Sequence, residues 1–302
     1  MKHSLKEWIF AMRPWSFPAS AISALVAFSY IFFRFSGLSS LYDINWCYGV
    51  LAILGAVIFQ AGSNVANDYF DYRHKVDTKE SIGINRLLID EVFEPKTFLR
   101  YSLILLSAGI LLGVYFLFNT GIELLWIGII GVLSGFFYYK LKYIALGDLL
   151  IYIIFGPMIM LGTMFVMTGR INTDALLISV PIGFLIVNIL HANNTRDMKH
   201  DGKANIKTQA MLLGVRGSII QYIILGIGAY VAVAVMAAFK VLHPLSLIVF
   251  VSLPLEIMNI KKMQKTEFDK PELINNMDEM SAKLVLAFGG LLAISNFIAA
   301  YL

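Results

Sequence analysis

The sequence predicts an all-α, multi-pass membrane protein, a single domain over residues 1–302 built as a nine-transmembrane-helix bundle. Three observations predict it. Of the 302 residues, 58% are hydrophobic and only 15% are charged, against roughly 45–50% and about 25% in a soluble globular domain. At about 20 apolar residues per crossing, that excess fills eight or nine spans and leaves little chain for an extramembrane domain. The charges that remain are distributed unevenly between the connections, which is the third observation.

Reading apolar stretches in order gives spans at 14–33, 47–66, 98–118, 121–139, 149–169, 174–193, 217–239, 243–260 and 282–302. With nine spans, all but three of the 24 Lys and Arg residues fall on the side of the N-terminus; the exceptions are Arg34, Arg170 and Lys240. That bias predicts a cytoplasmic N-terminus and an external C-terminus in the cytoplasmic (inner) membrane. The first apolar stretch is span-length and lacks a small-residue cleavage site, unlike a removable signal. The net charge of +4 therefore reports orientation, with no nucleic-acid partner implied. The single cysteine, Cys47, excludes a disulfide framework and a cysteine-built metal site.

The polar residues concentrate in loops 2–3 and 6–7. Span 2 runs out through Asn67-Asp68-Tyr69-Phe70-Asp71, and span 6 through Asn193-Asn194-Thr195-Arg196-Asp197 to Asp201. If both spans continue as helices, Asn67 and Asp71 share one face, and Asn193, Asp197 and Asp201 form a three-turn ladder. Carboxylates one turn apart repel, so this spacing is stabilised only by a bound positive charge. An oxygen-rich, sulfur-free set favours Mg²⁺, which binds through few carboxylates plus substrate phosphate. Arg73, Lys75, Arg196, Lys199 and Lys207 in the same loops are suited to phosphate oxygens. Asn67 and Asn193 are 126 residues apart, as are Asp71 and Asp197. The two motifs thus sit on one side of the membrane, as in a parallel repeat with its site between the halves.

At these residues the sequence resembles the UbiA superfamily of intramembrane prenyltransferases. Its first motif has the form N-x-x-x-D-x-x-x-D and its second D-x-x-x-D, often preceded by another D or N. Asn67 and Asp71 match the first; Lys75 takes the third place and Asp77 follows two residues later. Asn67 through Asp71, with Val76-Asp77-Thr78 and Glu80-Ser81-Ile82-Gly83-Ile84, looks like the 1,4-dihydroxy-2-naphthoate polyprenyltransferases. Asn193-Asn194-Thr195-Arg196-Asp197, Asp201 and Lys207-Thr208 resemble the second motif of those enzymes. Arg13-Pro14 is similar to the start of their first span, Tyr138-x-x-x-Lys142 matches a superfamily motif, and Gly147-Asp148 stands where a Gly-Glu pair is common.

The resemblance implies nine helices around a lipid-accessible cavity, with Mg²⁺ and a polyprenyl diphosphate under the cytoplasmic loops. It implies Asn67, Asp71, Asp197 and Asp201 as metal-diphosphate ligands and Asp77 as the replacement for the shifted acid. Arg196 and Lys142 would contact diphosphate, with Asp68, Asn193, Tyr138, Lys75 and Lys207 binding substrate. The implied reaction is Mg²⁺-dependent prenyl transfer to an aromatic acceptor, most closely 1,4-dihydroxy-2-naphthoate with loss of CO₂ to give demethylmenaquinone. Acceptors such as 4-hydroxybenzoate, haem or a lipid precursor are the alternatives within the superfamily. A cation-coupled transporter is the alternative outside it, although transport would place its acids near the midplane rather than at the rim.

The remaining polar residues have plainer readings. His74, His191 and His200 read as hydrogen-bonded neighbours of the motifs rather than ligands. Glu256 in span 8 is an intramembrane acid and so a site by default, with Lys261 and Lys262 near enough in sequence to pair with it.

Overall fold

The computed structural model describes residues 3–35, 44–74, 86–142, 144–203 and 206–302, with the backbone alone for 135–140, 142 and 203. Every described span is helical, as a chain in lipid requires, because each backbone N–H and C=O must be satisfied within its own segment. The helices are α1 (Leu5–Ala11), α2 (Pro18–Arg34), α3 (Trp46–Arg73), α4 (Pro95–Thr120), α5 (Leu124–Lys142), α6 (Gly147–Ile153) and α7 (Ile159–Thr168). Then follow α8 (Asp174–Arg196), α9 (Met198–Lys203), α10 (Gln209–Ala238), α11 (Leu253–Met263) and α12 (Met277–Ala299).

Among the described residues, eight segments are long and apolar enough to cross a membrane. They correspond to eight of the nine sequence-predicted spans. The other, 121–139, falls on α5, whose described apolar part is Leu124–Ser134. Two spans are composite. A π-helical turn at Ile154–Met158, containing Pro157, joins α6 to α7, and a 3₁₀ stretch at Pro244–Ser252 leads into α11. The π turn is held from outside: the Ser23 hydroxyl of α2 donates to the Phe155 carbonyl.

The span edges differ from the sequence reading where polar residues extend a helix. α3 and α8 run on through Arg73 and Arg196, past the predicted ends at 66 and 193. α10 opens at Gln209 under a Thr208 cap, whose hydroxyl accepts the Met211 N–H, but it kinks at Gly214 (φ 65°, ψ 178°), so its long apolar part begins near the predicted 217. The short α1 begins with a capping box between Ser4 and Glu7, and this pairing holds the Glu7 carboxyl below the usual carboxylate range.

The core lies among α2, α7, α8, α10 and α12, where Ile22, Tyr30, Met160, Ile178, Ile182, Val233 and Phe288 are buried. α8 is its axis: 67% of its apolar window is buried, against 11% for α4. α4 instead presents Leu103, Ile104, Leu111 and Phe118 outward, the face a lipid chain would cover. α4 still grips α3 closely. Ser102 Oγ donates to the Gly62 carbonyl at 2.9 Å, and a Cβ on Gly62 would lie 2.9 Å from the Leu106 backbone nitrogen, the small-residue contact typical of helices in lipid.

Hydrogen bonds fix which helix ends lie together. Arg13, just before α2, is 3.4 Å from Asp68 near the end of α3. At the far end of α2, the Tyr30 hydroxyl donates to Asp174 Oδ2 at the start of α8, at 2.8 Å. The Asn45 N–H, just before α3, donates to the Met167 carbonyl at the end of α7. α3 and α8 therefore both run antiparallel to α2, and the two Asn-x-x-x-Asp motifs finish at the same end of the bundle. Asp148, Gln209 and Asp278, which begin α6, α10 and α12, belong to that end as well.

Candidate functional site

The last four turns of α3 carry two polar stripes. Gln60, Asn64 and Asp68, each four residues apart, face the segment before α2. Gln60 Nε2 donates to the Ser16 carbonyl at 2.9 Å; Asn64 Nδ2 donates to the Met12 carbonyl and to Ser16 Oγ, both at 2.9 Å. Asp68 meets Arg13, whose backbone is left-handed (φ 58°, ψ 59°) where the Pro14–Ser16 turn begins. The sequence assigns Asp68 to substrate binding; in the structure its contact with Arg13 ties α3 to the N-terminal segment.

Asn67 and Asp71 occupy the neighbouring stripe, turned away by about one residue's rotation. Both are half-buried, and neither has a side-chain hydrogen bond or ion pair among the described residues. Lys75 and Asp77 lie outside the described residues, as does the 80–84 stretch. For Tyr138 and Lys142 the structure gives the backbone of α5 alone.

The second motif departs from a continuous ladder. α8 stops at Arg196, Asp197 is its C-cap with φ −91° and ψ 4°, and Asp201 belongs to the separate α9. The four-residue hydrogen bonds nevertheless continue across the break, from the Asp197 N–H to the Asn193 carbonyl and from the Asp201 N–H to the Asp197 carbonyl. Asn193 Oδ1 is buried with no hydrogen-bond partner among the described residues. Asp201 is buried. Arg196 Nε and Nη2 donate to the two Asp197 oxygens at 2.7 Å each. The same guanidinium donates to the Asn275 carbonyl at 3.1 Å and lies 3.8 Å from Asp278. Arg196, which the sequence assigns to diphosphate, thus also fastens α8 to the start of α12. Lys207 is exposed, and the backbone there bridges to Ile144, joining the loop after α5 to the loop before α10.

Beneath this motif lies a cluster the sequence did not single out as a site. His191 Nδ1 donates to Asp148 Oδ2 at 2.7 Å, and His191 Nε2 is 3.2 Å from the Ser218 carbonyl. Asp148 also accepts from Asn194 Nδ2 at 3.2 Å and Gln221 Nε2 at 3.0 Å. The expectation that His191 is a hydrogen-bonded neighbour agrees with this geometry. Asp148, the one Asp of α6, and Gln221, set within the apolar run of α10, were the available signal.

Glu256 corrects an expectation. It is fully buried, with neither carboxyl oxygen hydrogen-bonded, and it is not paired with Lys261 or Lys262; the Lys262 amine meets Asn276 Oδ1. Gly226 makes room for it, since a Cβ there would collide with Glu256 Oε1.

The donor set suits a hard cation. Asn67, Asp71, Asn193, Asp197 and Asp201 offer oxygen alone, and the orphaned Asn193 Oδ1 is a buried acceptor that lacks a donor. Among the described residues no three His, Cys, Asp or Glu side chains converge on one metal position. Asp71 on α3 and Asp197 and Asp201 after α8 thus do not form one protein-only cage. That suits Mg²⁺, which relies on one or two carboxylates and completes its shell with water and phosphate.

Residues 25–273 match the model of the UbiA prenyltransferase family. The chain belongs to that family. It is a prenyltransferase, which decides between the enzyme and transporter readings. UbiA prenyltransferase domain-containing protein 1 of Xenopus tropicalis is 31% identical over 294 residues, covering 95% of this chain and 81% of that one. The 1,4-dihydroxy-2-naphthoate octaprenyltransferase of Bacillus subtilis (strain 168) is 30% identical over 253 residues, 82% of this chain and 81% of that one. Among solved structures, an apo UbiA homolog from Aeropyrum pernix K1 has a TM-score of 0.67 at 14% identity, covering 91% and 97% of the two chains. A UbiA homolog from Archaeoglobus fulgidus, bound to GPP and Mg²⁺, has a TM-score of 0.62 at 14% identity, covering 95% and 99%. At these identities the solved structures establish the fold of this UbiA prenyltransferase.

Proposed function

We propose that this UbiA prenyltransferase moves a polyprenyl group from its diphosphate to 1,4-dihydroxy-2-naphthoate, with Mg²⁺ as cofactor. The observation that carries the reading is the pair of Asn-x-x-x-Asp motifs at one end of the bundle, in a chain 30% identical to the Bacillus subtilis octaprenyltransferase. The Asn67 to Asp71 stretch followed by Val76-Asp77-Thr78 supports the naphthoate acceptor.

In this reading Asn67 and Asp71 hold one side of the metal-diphosphate, and Asn193, Asp197 and Asp201 the other. Arg196, Lys142, Lys75 and Lys207 meet phosphate oxygens, Asp77 supplements the first motif, and Tyr138 lines the substrate. Bound Mg²⁺ neutralises the charge that grows on the diphosphate as it leaves. The prenyl C1–O bond breaks with its electron pair going to diphosphate. C1 then bonds to the ring carbon bearing the carboxylate, which departs as CO₂ and leaves its electron pair in the ring, so the product is the reduced quinol form of demethylmenaquinone. Each Asp197 oxygen accepts one hydrogen bond from Arg196 and keeps a second lone pair for a cation.

The orientation bias of the 24 Lys and Arg residues supports nine spans forming one domain in the cytoplasmic membrane, with the site facing the cytoplasm. The test is incubation of purified protein in liposomes with Mg²⁺, a polyprenyl diphosphate and either 1,4-dihydroxy-2-naphthoate or 4-hydroxybenzoate, followed by mass identification of the lipid product. A prenylated naphthoquinol with loss of CO₂ is expected; product from 4-hydroxybenzoate alone would overturn the acceptor.

A further inference from the structure

We propose that Asp148 is a positioning residue for the second motif, setting the direction in which α8 presents Asn193 and Asp197 to the metal-diphosphate. This rests on the reading that Asn193 and Asp197 hold that group.

Asp148 stands at the start of α6 and is buried, with 3% of its surface exposed. A carboxylate in that setting is costly unless its oxygens are saturated with donors. Three donors from two other helices supply this: His191 and Asn194 from α8 and Gln221 from α10. His191 and Asn194 lie on either side of Asn193 in sequence, so two of the contacts grip the single turn that carries the orphaned Asn193 oxygen. The grip is itself anchored. His191 Nε2 reaches the Ser218 carbonyl at 3.2 Å, and the Gln221 side-chain oxygen accepts from Gln209 Nε2 at 2.9 Å. The Thr195 hydroxyl donates to the His191 carbonyl at 2.7 Å.

This arrangement fixes both rotation and depth of the last turn of α8. Rotation is set because two donors three residues apart converge on one carboxylate; depth is set because that carboxylate belongs to a different helix. The break at Asp197 gives this fixture its place: α8 ends at Arg196, and beyond it the hydrogen bonds from the Asp197 N–H to the Asn193 carbonyl and from the Asp201 N–H to the Asp197 carbonyl carry the chain into α9. Asp148 also sits four residues after Ile144, whose bridge to Lys207 joins the loop after α5 to the loop before α10. The carboxylate therefore lies where three connections of the proposed site meet. Groups hydrogen-bonded to metal ligands commonly contribute 10–100-fold to metal affinity; Asp148 acts one step further out, through His191 and Asn194, so its effect should sit at the lower end of that range.

The test compares wild type with Asp148→Asn, Asp148→Glu, Asn194→Ala and Tyr230→Phe, all purified in the same detergent. Two readouts are used: the Mg²⁺ concentration giving half-maximal turnover, and the Mg²⁺ dependence of the thermal shift produced by an unreactive prenyl thiodiphosphate. Asp148→Asn should raise both midpoints about 10-fold while turnover at saturating Mg²⁺ stays within several-fold. Asp148→Glu should recover most of the loss. Asn194→Ala removes one arm and should shift the midpoints less, in the same direction, which preserves the test if Asp148→Asn does not fold. Tyr230→Phe removes a buried hydrogen bond to Ser252 elsewhere in the bundle and should lower stability without moving either midpoint. Unchanged midpoints in Asp148→Asn, or in Asn194→Ala if it alone folds, would overturn the proposal. If Asp197→Asn also left the thiodiphosphate response intact, the underlying ligand assignment would fail instead.

Discussion

The ends of α3 and α8 carry the same Asn-x-x-x-Asp spacing, yet the protein treats the two carboxylates differently. Asp197 is clasped at both oxygens by Arg196, which is further held by Asn275 and Asp278. Asp71 has no such partner among the described residues. Among the described residues, one motif has its carboxylate compensated by an arginine and the other does not. The comparison teaches that sequence symmetry between halves need not mean electrostatic symmetry. In the proposed function, the α8 half is the one held in place and the α3 half the one that exerts the stronger pull on a cation.

The largest effect that would sharpen this contrast is on rate. Asp71→Asn should lower turnover about 10²–10³-fold, the scale of losing one group that stabilises developing charge, with an unchanged elution profile and circular dichroism spectrum. Turnover near that of wild type would remove the α3 motif from the mechanism. The next effect is on stability and should appear only in the α8 half. Arg196→Leu leaves Asp197 and Asp278 uncompensated and should cost about 1–3 kcal/mol in denaturant unfolding, less than a fully buried pair because Asp197 is 32% exposed. Asp71→Asn should change stability by less than about 0.5 kcal/mol. A third measurement tests the pairing itself: adding Asp197→Asn to Arg196→Leu should restore part of the lost stability, since the unpaired charge is then gone. Strict additivity of the two would show that the clasp contributes nothing. The smallest effect belongs to the other α3 stripe. Asp68→Asn should cost no more than about 1 kcal/mol, because its partner Arg13 is 35% exposed.

What was legible in the sequence follows the range of the interactions involved. Span positions and the shared end of the two motifs depend on local hydropathy and on counting crossings, so both could be read. The ladder of α8 was legible as spacing; the break at Asp197 was not, because neither Gly nor Pro punctuates the chain at that point, and Met198 simply opens α9. Asp148 and His191 are 43 residues apart, and nothing periodic connects them. Asp278 was equally silent, an ordinary first-turn acid of α12 until Arg196 is seen beside it. Glu256 shows the opposite failure. Sequence proximity suggested Lys261 and Lys262 as partners, whereas the helix turns its carboxyl inward toward Gly226.

The π turn at Ile154–Met158 has a consequence for how this chain tolerates insertions and deletions. A π turn accommodates one extra residue within an α-helix, and each residue of an α-helix advances the side chains by about 100°. Deleting one residue between Ile154 and Met158 would thus let the wide turn close to an ordinary α turn, with Met160, Met164 and Met167 still facing the core and Asp148 still against α8. The same deletion made inside α7 has no wide turn to absorb it and would rotate one side of the span by about 100°, turning core side chains toward lipid. A single-codon deletion at Ile154–Met158 should therefore be tolerated better than one made a turn later in the same span.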